Sequence, residues 1–315
     1  MTHISPRRYG FRRILTKCDD RQVSQPSTTT RERQMKIDIY KDVTDRILAA
    51  MESGDTNWLK PFTTSAGMPI NGVTRNEYHG INVLLLGLLN PFQSNEWASY
   101  KQWKTKGANV RKGEKGTRII FFKRLEKEDR DTGKIDRIPL LRYSTVFNAD
   151  QVDGYESDTV DLPDLTECLA HLDNYIDSLN IVFGTGSPCY IPSKDTICMP
   201  SRSSFAGNQD GTPTQHYYST LLHEVTHWTG HTSRLDRLAD RSREGYAFEE
   251  LIAELGAAYQ CRIFGIDLEP RADHAKYLGG WLKALKDDKK FIFKAAAAAQ
   301  KAIGFCDSLQ LSEAA

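Results

Sequence analysis

The densest grouping of reactive side chains is His223-Glu224-Val225-Thr226-His227. Two imidazoles four residues apart share one face of a helix, one turn apart, where both reach a single divalent ion. Glu224 lies about 100° round the same helix from His223, which allows its carboxylate to stand beside a water on that ion as general base. A pentapeptide of this form also arises by chance, so the flanking pattern has to support a helix. At about 100° per residue Tyr218, Leu221, Leu222 and Val225 gather on one side, with His223 and His227 nearly opposite. The histidines are therefore not part of the core stripe. Gly230 follows as a stop suited to a left-handed cap.

Such a site needs a third protein ligand and keeps a fourth position open when it is catalytic. The expected source is a helix over residues 246–263 carrying Glu249, Glu250 and Glu254. Its bulky stripe is Phe248, Leu251, Ile252, Leu255 and Tyr259. Glu250 and Glu254 lie on the other face among Ala247, Ala257 and Cys261, small residues that permit close approach to the histidine helix. This selects Glu250 and Glu254 over Glu249. Glu-x-x-x-Glu resembles the gluzincin pattern, in which the first acid binds metal and the second supports a ligand histidine. Glu250 is thus the first choice as ligand and Glu254 as the support, with Glu254 and His231 kept as alternative ligands. His231 follows His227 by four residues, not the six of a metzincin. The expected ion is Zn2+ or another divalent metal such as Mn2+, and the expected reaction is peptide-bond hydrolysis. Tyr217, Tyr218, Tyr246 and His231 are candidates for oxyanion or substrate contact. Asp195 to Met199 reads either as an edge strand that lines the cleft and holds an extended peptide or as an ordinary sheet strand.

These residues need a scaffold, and 315 residues suffice for two domains with normal cores. Apolar residues at 39% and charged residues at 26%, with no apolar run of membrane-spanning length, exclude a transmembrane protein and predict a soluble one. Cys18, Cys168, Cys189, Cys198, Cys261 and Cys306 form no C-x-x-C pair and read as reduced thiols. With no apolar stretch after the N-terminal arginines to make a secretory signal, the expected location is cytoplasmic.

Residues 1–34 hold eight Arg or Lys against three acids and read as a disordered basic tail, with Met35 an alternative start. A first helix is expected from Ile37 to Met51, an apolar run from Val83 to Leu89 and a short helix from Trp97 to Lys104. A strand from Thr117 to Lys123 leads to a hairpin tip around Asp131-Thr132-Gly133 and a return over Arg142 to Phe147. The first domain spans 35–153, a linker 154–165, and a mainly helical second domain 166–315. In the latter a helix from Thr166 to Leu179 precedes a strand pair between Ser187 and Met199. The fold class is α+β in both halves.

The net charge of +1 hides a cationic stretch, for Ser99 to Arg124 holds nine Lys or Arg against Glu114 alone. Around it Trp58, Phe62, Tyr78, Trp97, Tyr100 and Trp103 interleave with Lys101, Lys104, Lys106, Arg111, Lys112, Lys115 and Arg118. Bases stack on aromatic faces while cations follow phosphates, so the mixture suits single-stranded nucleic acid. Some of those aromatics must be core; Trp58, Tyr78 and Trp103 are the stacking candidates. Amides around Gly113 and Gly116 are a further phosphate cradle.

Taken together, Pro69-Ile70-Asn71, Tyr78-His79-Gly80-Ile81-Asn82, Gly107-Ala108-Asn109-Val110-Arg111-Lys112-Gly113, Phe147-Asn148-Ala149-Asp150-Gln151, Tyr218 to Glu224 and Glu249 to Glu254 resemble the ArdC-type antirestriction proteins of conjugative plasmids and mobile elements. The resemblance runs from about Ile37 to Ile303. It implies a single-stranded-DNA-binding domain followed by a zincin-like metallopeptidase domain, protecting incoming plasmid DNA from host restriction. Its H-E-x-x-H falls on His223, Glu224 and His227, and its glutamate motif on Glu250 to Glu254. The arginine-rich leader departs from the pattern. No protein substrate is implied by the motifs; host restriction components are candidates.

Overall fold

The computed structural model describes residues 38–52, 68–88, 92, 94–128, 135–156, 165–207, 211–266 and 274–313. The basic tail, Trp58, the expected hairpin tip and most of the linker lie outside them. From Ile39 onward the chain forms one contact unit.

Helix α1 (Ile39–Glu52) buries Val43, Ile47 and Met51, spaced one helical turn apart. Strand β1 (Ile70–Asn71) leads to a short α2 (Ile81–Val83) that continues as a π-helical turn over Leu84–Leu88. The expected helix over 97–104 divides. Trp97 and Ala98 belong to β2 (Glu96–Ala98), and α3 begins only at Tyr100 and runs to Thr105. Ser99 makes the break: its hydroxyl accepts from Gln102 N while the Gln102 side chain accepts from Ser99 N, a reciprocal cap that fixes the helix start.

After β3 (Asn109–Val110) come two long strands, β4 (Thr117–Glu128) and β5 (Ile135–Asn148), and then β6 (Val152–Asp153). The sheet order is β1-β2-β5-β4, with β3 and β6 a separate pair. Side-chain amides tie this part together. Asn82 accepts from Ile120 N and donates to Ile120 O, each at 2.8 Å, so it pairs with β4 as a strand would. Asn71 Oδ1 accepts from Val73 N and Thr74 N, closing the turn after β1. Asn148 and Gln151 form a second reciprocal cap. The motif residues Asn71, Asn82, Asn148 and Gln151 therefore serve the scaffold.

The C-terminal part contains α4 (Leu165–Ser178), strands β7 (Val182–Thr185), β8 (Cys189–Ile191) and β9 (Thr196–Met199), and helices α5 (Pro213–Thr229), α6 (Arg243–Ile263), α7 (His274–Asp287) and α8 (Phe291–Glu313). Strand β9 is central, parallel to β7 and antiparallel to β8. Of the two readings of residues 195–199 the ordinary sheet strand is the one seen, and the cleft-edge reading is corrected. Both sides of β9 are paired, and among the described residues β8 is the edge strand that lines the cleft.

The largest core joins the two parts. Val43, Leu84 and Ile120 share it with Leu222, Leu255 and Ile292, while two smaller clusters, around Trp97 and around Trp103, belong to the N-terminal part alone. Polar contacts follow the same route: Thr44 Oγ1 donates to Lys289 O at 2.9 Å, and Tyr259 Oη to Gly80 O at 3.1 Å. Mixed helices and sheets in two parts make the class α+β.

Candidate metal centre

Helix α5 starts at a strong cap, with Thr212 Oγ1 accepting from Gln215 N, the Gln215 side chain returning the bond, and Pro213 in the first turn. Beyond Tyr218 the helix is buried on nearly every side, because the face opposite its apolar stripe lies against α6. The helices approach closely at Gly256, where an added Cβ would stand 2.5 Å from Thr226 Oγ1. A glycine of α6 thus meets α5 beside His227.

That contact sets the polar faces of the two helices against each other. His223 Nε2 and His227 Nε2 are 3.1 Å apart, and the Glu250 carboxylate lies 3.6 Å from the first and 3.5 Å from the second. Two nitrogens on a tetrahedral zinc ion at about 2.05 Å stand ~3.3 Å apart, so the histidine pair already has the spacing of such a site, and one atom from each of the three residues lies within 4.8 Å of the others. Among the described residues His223, His227 and Glu250 are the group of His, Cys, Asp or Glu side chains that converges in this way. The donor set fits a divalent ion.

Each imidazole is backed on its other nitrogen. Glu254 Oε1 lies 3.2 Å from His223 Nδ1, although out of line for a hydrogen bond. Glu249 Oε1 lies 3.3 Å from His227 Nδ1. Arg237 then donates to both oxygens of Glu249, at 2.9 and 3.1 Å, to Thr226 O and to Thr229 Oγ1. Spacing alone set Glu249 aside, and nothing in the local pattern pointed to Arg237, which reaches the site from the loop after α5. A third buried acid beside two candidate ligands was the available signal, since buried carboxylates persist only with partners.

The electrostatics reflect this crowding. Burial opposes the charged form of His227, but Glu249 and Glu250 outweigh it and hold the imidazole up to about 10. Burial likewise works to raise Glu250 and Glu249. His223 and His227 nevertheless keep Glu250 well below the usual carboxylate range, and His227 with Arg237 keeps Glu249 low.

Glu224 is buried and, with the three convergent residues, lines a cleft of about 910 Å³. One wall is the β8 edge through Cys189 and Tyr190, and the other is the stretch from Arg241 to Tyr246. Of the four candidates for oxyanion or substrate contact, Tyr246 alone lines this cleft. Tyr218 is buried with its hydroxyl on Asp173, Tyr217 packs edge-on against Phe205, and His231 is bound to Ser233. Gly230 corrects another expectation. Its φ of −77° is right-handed, and a Cβ there would stand tightly, at 3.0 Å from Arg237 Nη2 and 3.2 Å from Glu249 Oε1.

In the N-terminal part Trp103 is fully buried, packs on Tyr155 and donates Nε1 to Phe147 O at 3.0 Å. Tyr78 is buried with its hydroxyl bonded to Asn71. Neither offers a face to a base, because Trp103 fills the space under Gly72 and Tyr78 that beside Trp97. Lys101, Lys104, Lys106, Lys112 and Lys115 are exposed, as is Tyr100 at 50%. Arg111 is engaged with Glu114, Asp153 and Asp150 O, while Arg118 lies over the Tyr143 ring and near Asp42. Near Gly113, Glu114 N is already turned back to Arg111 O.

Fold and site together define a two-part protein with a zincin-like domain. Residues 170–298 match the family model of a zincin-like metallopeptidase, and residues 37–147 that of the N-terminal domain of anti-restriction factor ArdC. The metal-free crystal structure of the antirestriction protein ArdC from plasmid R388 is 40% identical, with a TM-score of 0.74, over 87% of this chain and 98% of that one. Its Mn(II)-bound form gives a TM-score of 0.70 over 86% and 98%. The uncharacterized protein y4eC of Sinorhizobium fredii is 35% identical over 87% of this chain and 93% of its own length. An Escherichia coli DNA primase TraC is 35% identical over 85% of this chain, which spans 27% of that longer protein. The chain belongs to the ArdC family of antirestriction proteins.

Proposed function

We propose that this chain binds single-stranded DNA through its N-terminal part and hydrolyses peptide bonds at a divalent metal held by His223, His227 and Glu250, acting in the cytoplasm to protect incoming plasmid DNA from restriction during conjugation. The observation that carries this reading is the convergence of those three side chains beside Glu224 in an open cleft, within a chain of the ArdC family. A purely structural metal needs no base beside it.

When bound, the ion supplies the Lewis acidity that polarises a scissile carbonyl and brings water within reach of deprotonation near neutral pH. Glu224 takes the proton from the attacking water and returns it to the departing amine. Glu249 fixes the plane of the His227 imidazole, Arg237 keeps Glu249 ionised and in place, and Glu254 stands beside His223 Nδ1 as its support. The edge of β8 aligns an extended peptide by strand addition, and Tyr246, which lines the cleft, is the candidate for contact with the developing oxyanion. The domain limits proposed are 35–153 and 166–315. Among the described residues no helix is long and apolar enough to cross a membrane.

The decisive experiment uses Glu224→Gln. The variant should keep its ion and its single-stranded-DNA affinity while peptide hydrolysis falls by about 10² to 10⁴. Loss of the ion makes Glu224 structural and overturns the catalytic reading. Protection of conjugating DNA should survive, since coverage of the entering strand hides it without cleavage; loss of protection assigns antirestriction to proteolysis. Glu250→Ala should lose the ion, whereas retention there with loss in Glu254→Ala moves the third ligand by one turn.

A further inference from the structure

The cleft wall contains a feature that peptide hydrolysis does not use. Cys189 on β8 and Cys198 on β9 are directly opposite each other in the antiparallel register. Residues so placed have Cα atoms about 4.5 to 5.5 Å apart and side chains on one face. That separation lies inside the range of about 4.4 to 6.8 Å that a disulfide spans without backbone movement. Both side chains are free thiols, Cys189 exposed and Cys198 partly buried. The two also interact as thiols, for Cys198 is one of the groups that, after burial, raise the Cys189 thiol above its ordinary value, with Glu224 another.

The surroundings hold this pair in position. Along β9 Ile197 and Met199 enter the core, which turns Cys198 to the other face of the sheet. Glycine at position 184 of the neighbouring β7 leaves room for it, since a Cβ there would stand 3.1 Å from Cys198 Sγ. The turn between the strands is pinned: Tyr190 Oη donates to Asp195 Oδ1 at 2.8 Å, and Arg234 donates to both Asp195 oxygens while lying 4.0 Å from the Trp228 ring centroid. Cys189 itself lines the cleft with Glu224, His223 and His227.

We propose that Cys189 and Cys198 form a redox-active dithiol in the wall of the metal cleft, in which Cys189 reacts with low-molecular-weight disulfides and Cys198 resolves the adduct. In the first step the Cys189 thiolate attacks one sulfur of glutathione disulfide. A Cys189–glutathione bond forms, the glutathione S–S bond breaks, and one glutathione thiolate leaves and takes up the proton that Cys189 lost. In the second step the Cys198 thiolate attacks Cys189 Sγ. The Cys189–Cys198 bond forms, the bond to glutathione breaks, and the second glutathione leaves with the proton from Cys198. The two cysteines lose two electrons and the oxidant becomes two thiols. A glutathionyl group on Cys189 occupies the space a substrate needs, and resolution by Cys198 clears it, leaving a cross-link between the edge strand and its neighbour.

The test exposes the full-length chain to glutathione disulfide, blocks remaining thiols with N-ethylmaleimide, and maps Cys189 and Cys198 by peptide mass spectrometry. The wild type should contain the Cys189–Cys198 disulfide. Cys198→Ser, with Cys198→Ala as a second variant, should instead accumulate at least about tenfold more glutathione on Cys189 than the wild type does. Cys189→Ser should leave Cys198 unmodified over the same exposure. A persistent adduct on wild-type Cys189, or both thiols blocked by maleimide in the wild type, overturns the resolving role. Cys198 acquiring glutathione in Cys189→Ser as fast as Cys189 does in Cys198→Ser overturns the order of attack.

Discussion

Glu249 Oε1 lies 3.3 Å from Nδ1 of His227, and the same carboxylate is gripped through both oxygens by Arg237. One candidate ligand is therefore oriented by a two-residue relay that crosses from α6 to the loop after α5. The other, His223, has Glu254 Oε1 at 3.2 Å from its Nδ1.

The relay predicts unequal losses. Removing a group that orients a metal-bound histidine typically costs 10- to 100-fold in affinity, so Glu249→Ala should weaken metal binding by about that factor, and Arg237→Met in the same direction. Competition with a chromogenic chelator measures both. Unchanged affinity in Glu249→Ala would show that the plane of the His227 ring is set elsewhere.

Metal binding should also be coupled to protons. Glu249 and Glu250, against the effect of burial, hold His227 up to about 10 in the metal-free chain, so at neutral pH a metal must displace its proton. Affinity should therefore rise by about tenfold per pH unit from this group and level off above pH 10. Calorimetry in buffers of different ionisation enthalpy should detect release of about one proton per ion from His227 at pH 8. No release at that pH would mean that His227 is neutral before the metal arrives.

Gly256→Ala tests the helix contact. The new Cβ would stand 2.5 Å from Thr226 Oγ1 and 2.6 Å from Thr226 Cγ2, so the Thr226 side chain or the helices themselves must shift. Overpacking of this kind costs about 1 to 3 kcal/mol, and the displaced carboxylates should weaken metal binding as well. Chemical denaturation and metal titration of the same sample report the two effects, and a stable variant with intact binding would refute the tight contact.

In the N-terminal part the aromatic and cationic residues should separate by role. Trp103→Ala should destabilise the fold by about 3 to 5 kcal/mol, as for other buried aromatics. Replacing Lys104, Lys112 and Lys115 together should leave stability near wild type and reduce the salt slope of single-stranded-DNA binding by about 2, at ~0.7 per phosphate contact. Tyr100→Ala should weaken binding by about 1 to 3 kcal/mol through lost stacking. An unchanged salt slope in the triple variant would move the DNA path to another face.

Sequence alone determined what local periodicity and capping carry. Those features were the helix bearing His223 and His227, the acidic helix after it, the paired strands of the N-terminal part and the exposed lysines between Ser99 and Lys115. Each rests on contacts a few residues apart, which a window of sequence contains. Tertiary structure decided which acid meets which histidine. His223 meets Glu254 and His227 meets Glu249, so histidines four residues apart, about 6 Å along one axis, are bracketed by acids five apart and about 7.5 Å along the other. The alternating pattern of β9 is the same for a central as for an edge strand, so its pairing on both sides could not be read locally. The burial of Trp103 was equally hidden, because what covers it, Gly72, Phe147 and Tyr155, comes from three separate segments. Arg237 and Gly230 gained their roles in the same way, through a loop that returns to the site and brings position 230 close beside Glu249.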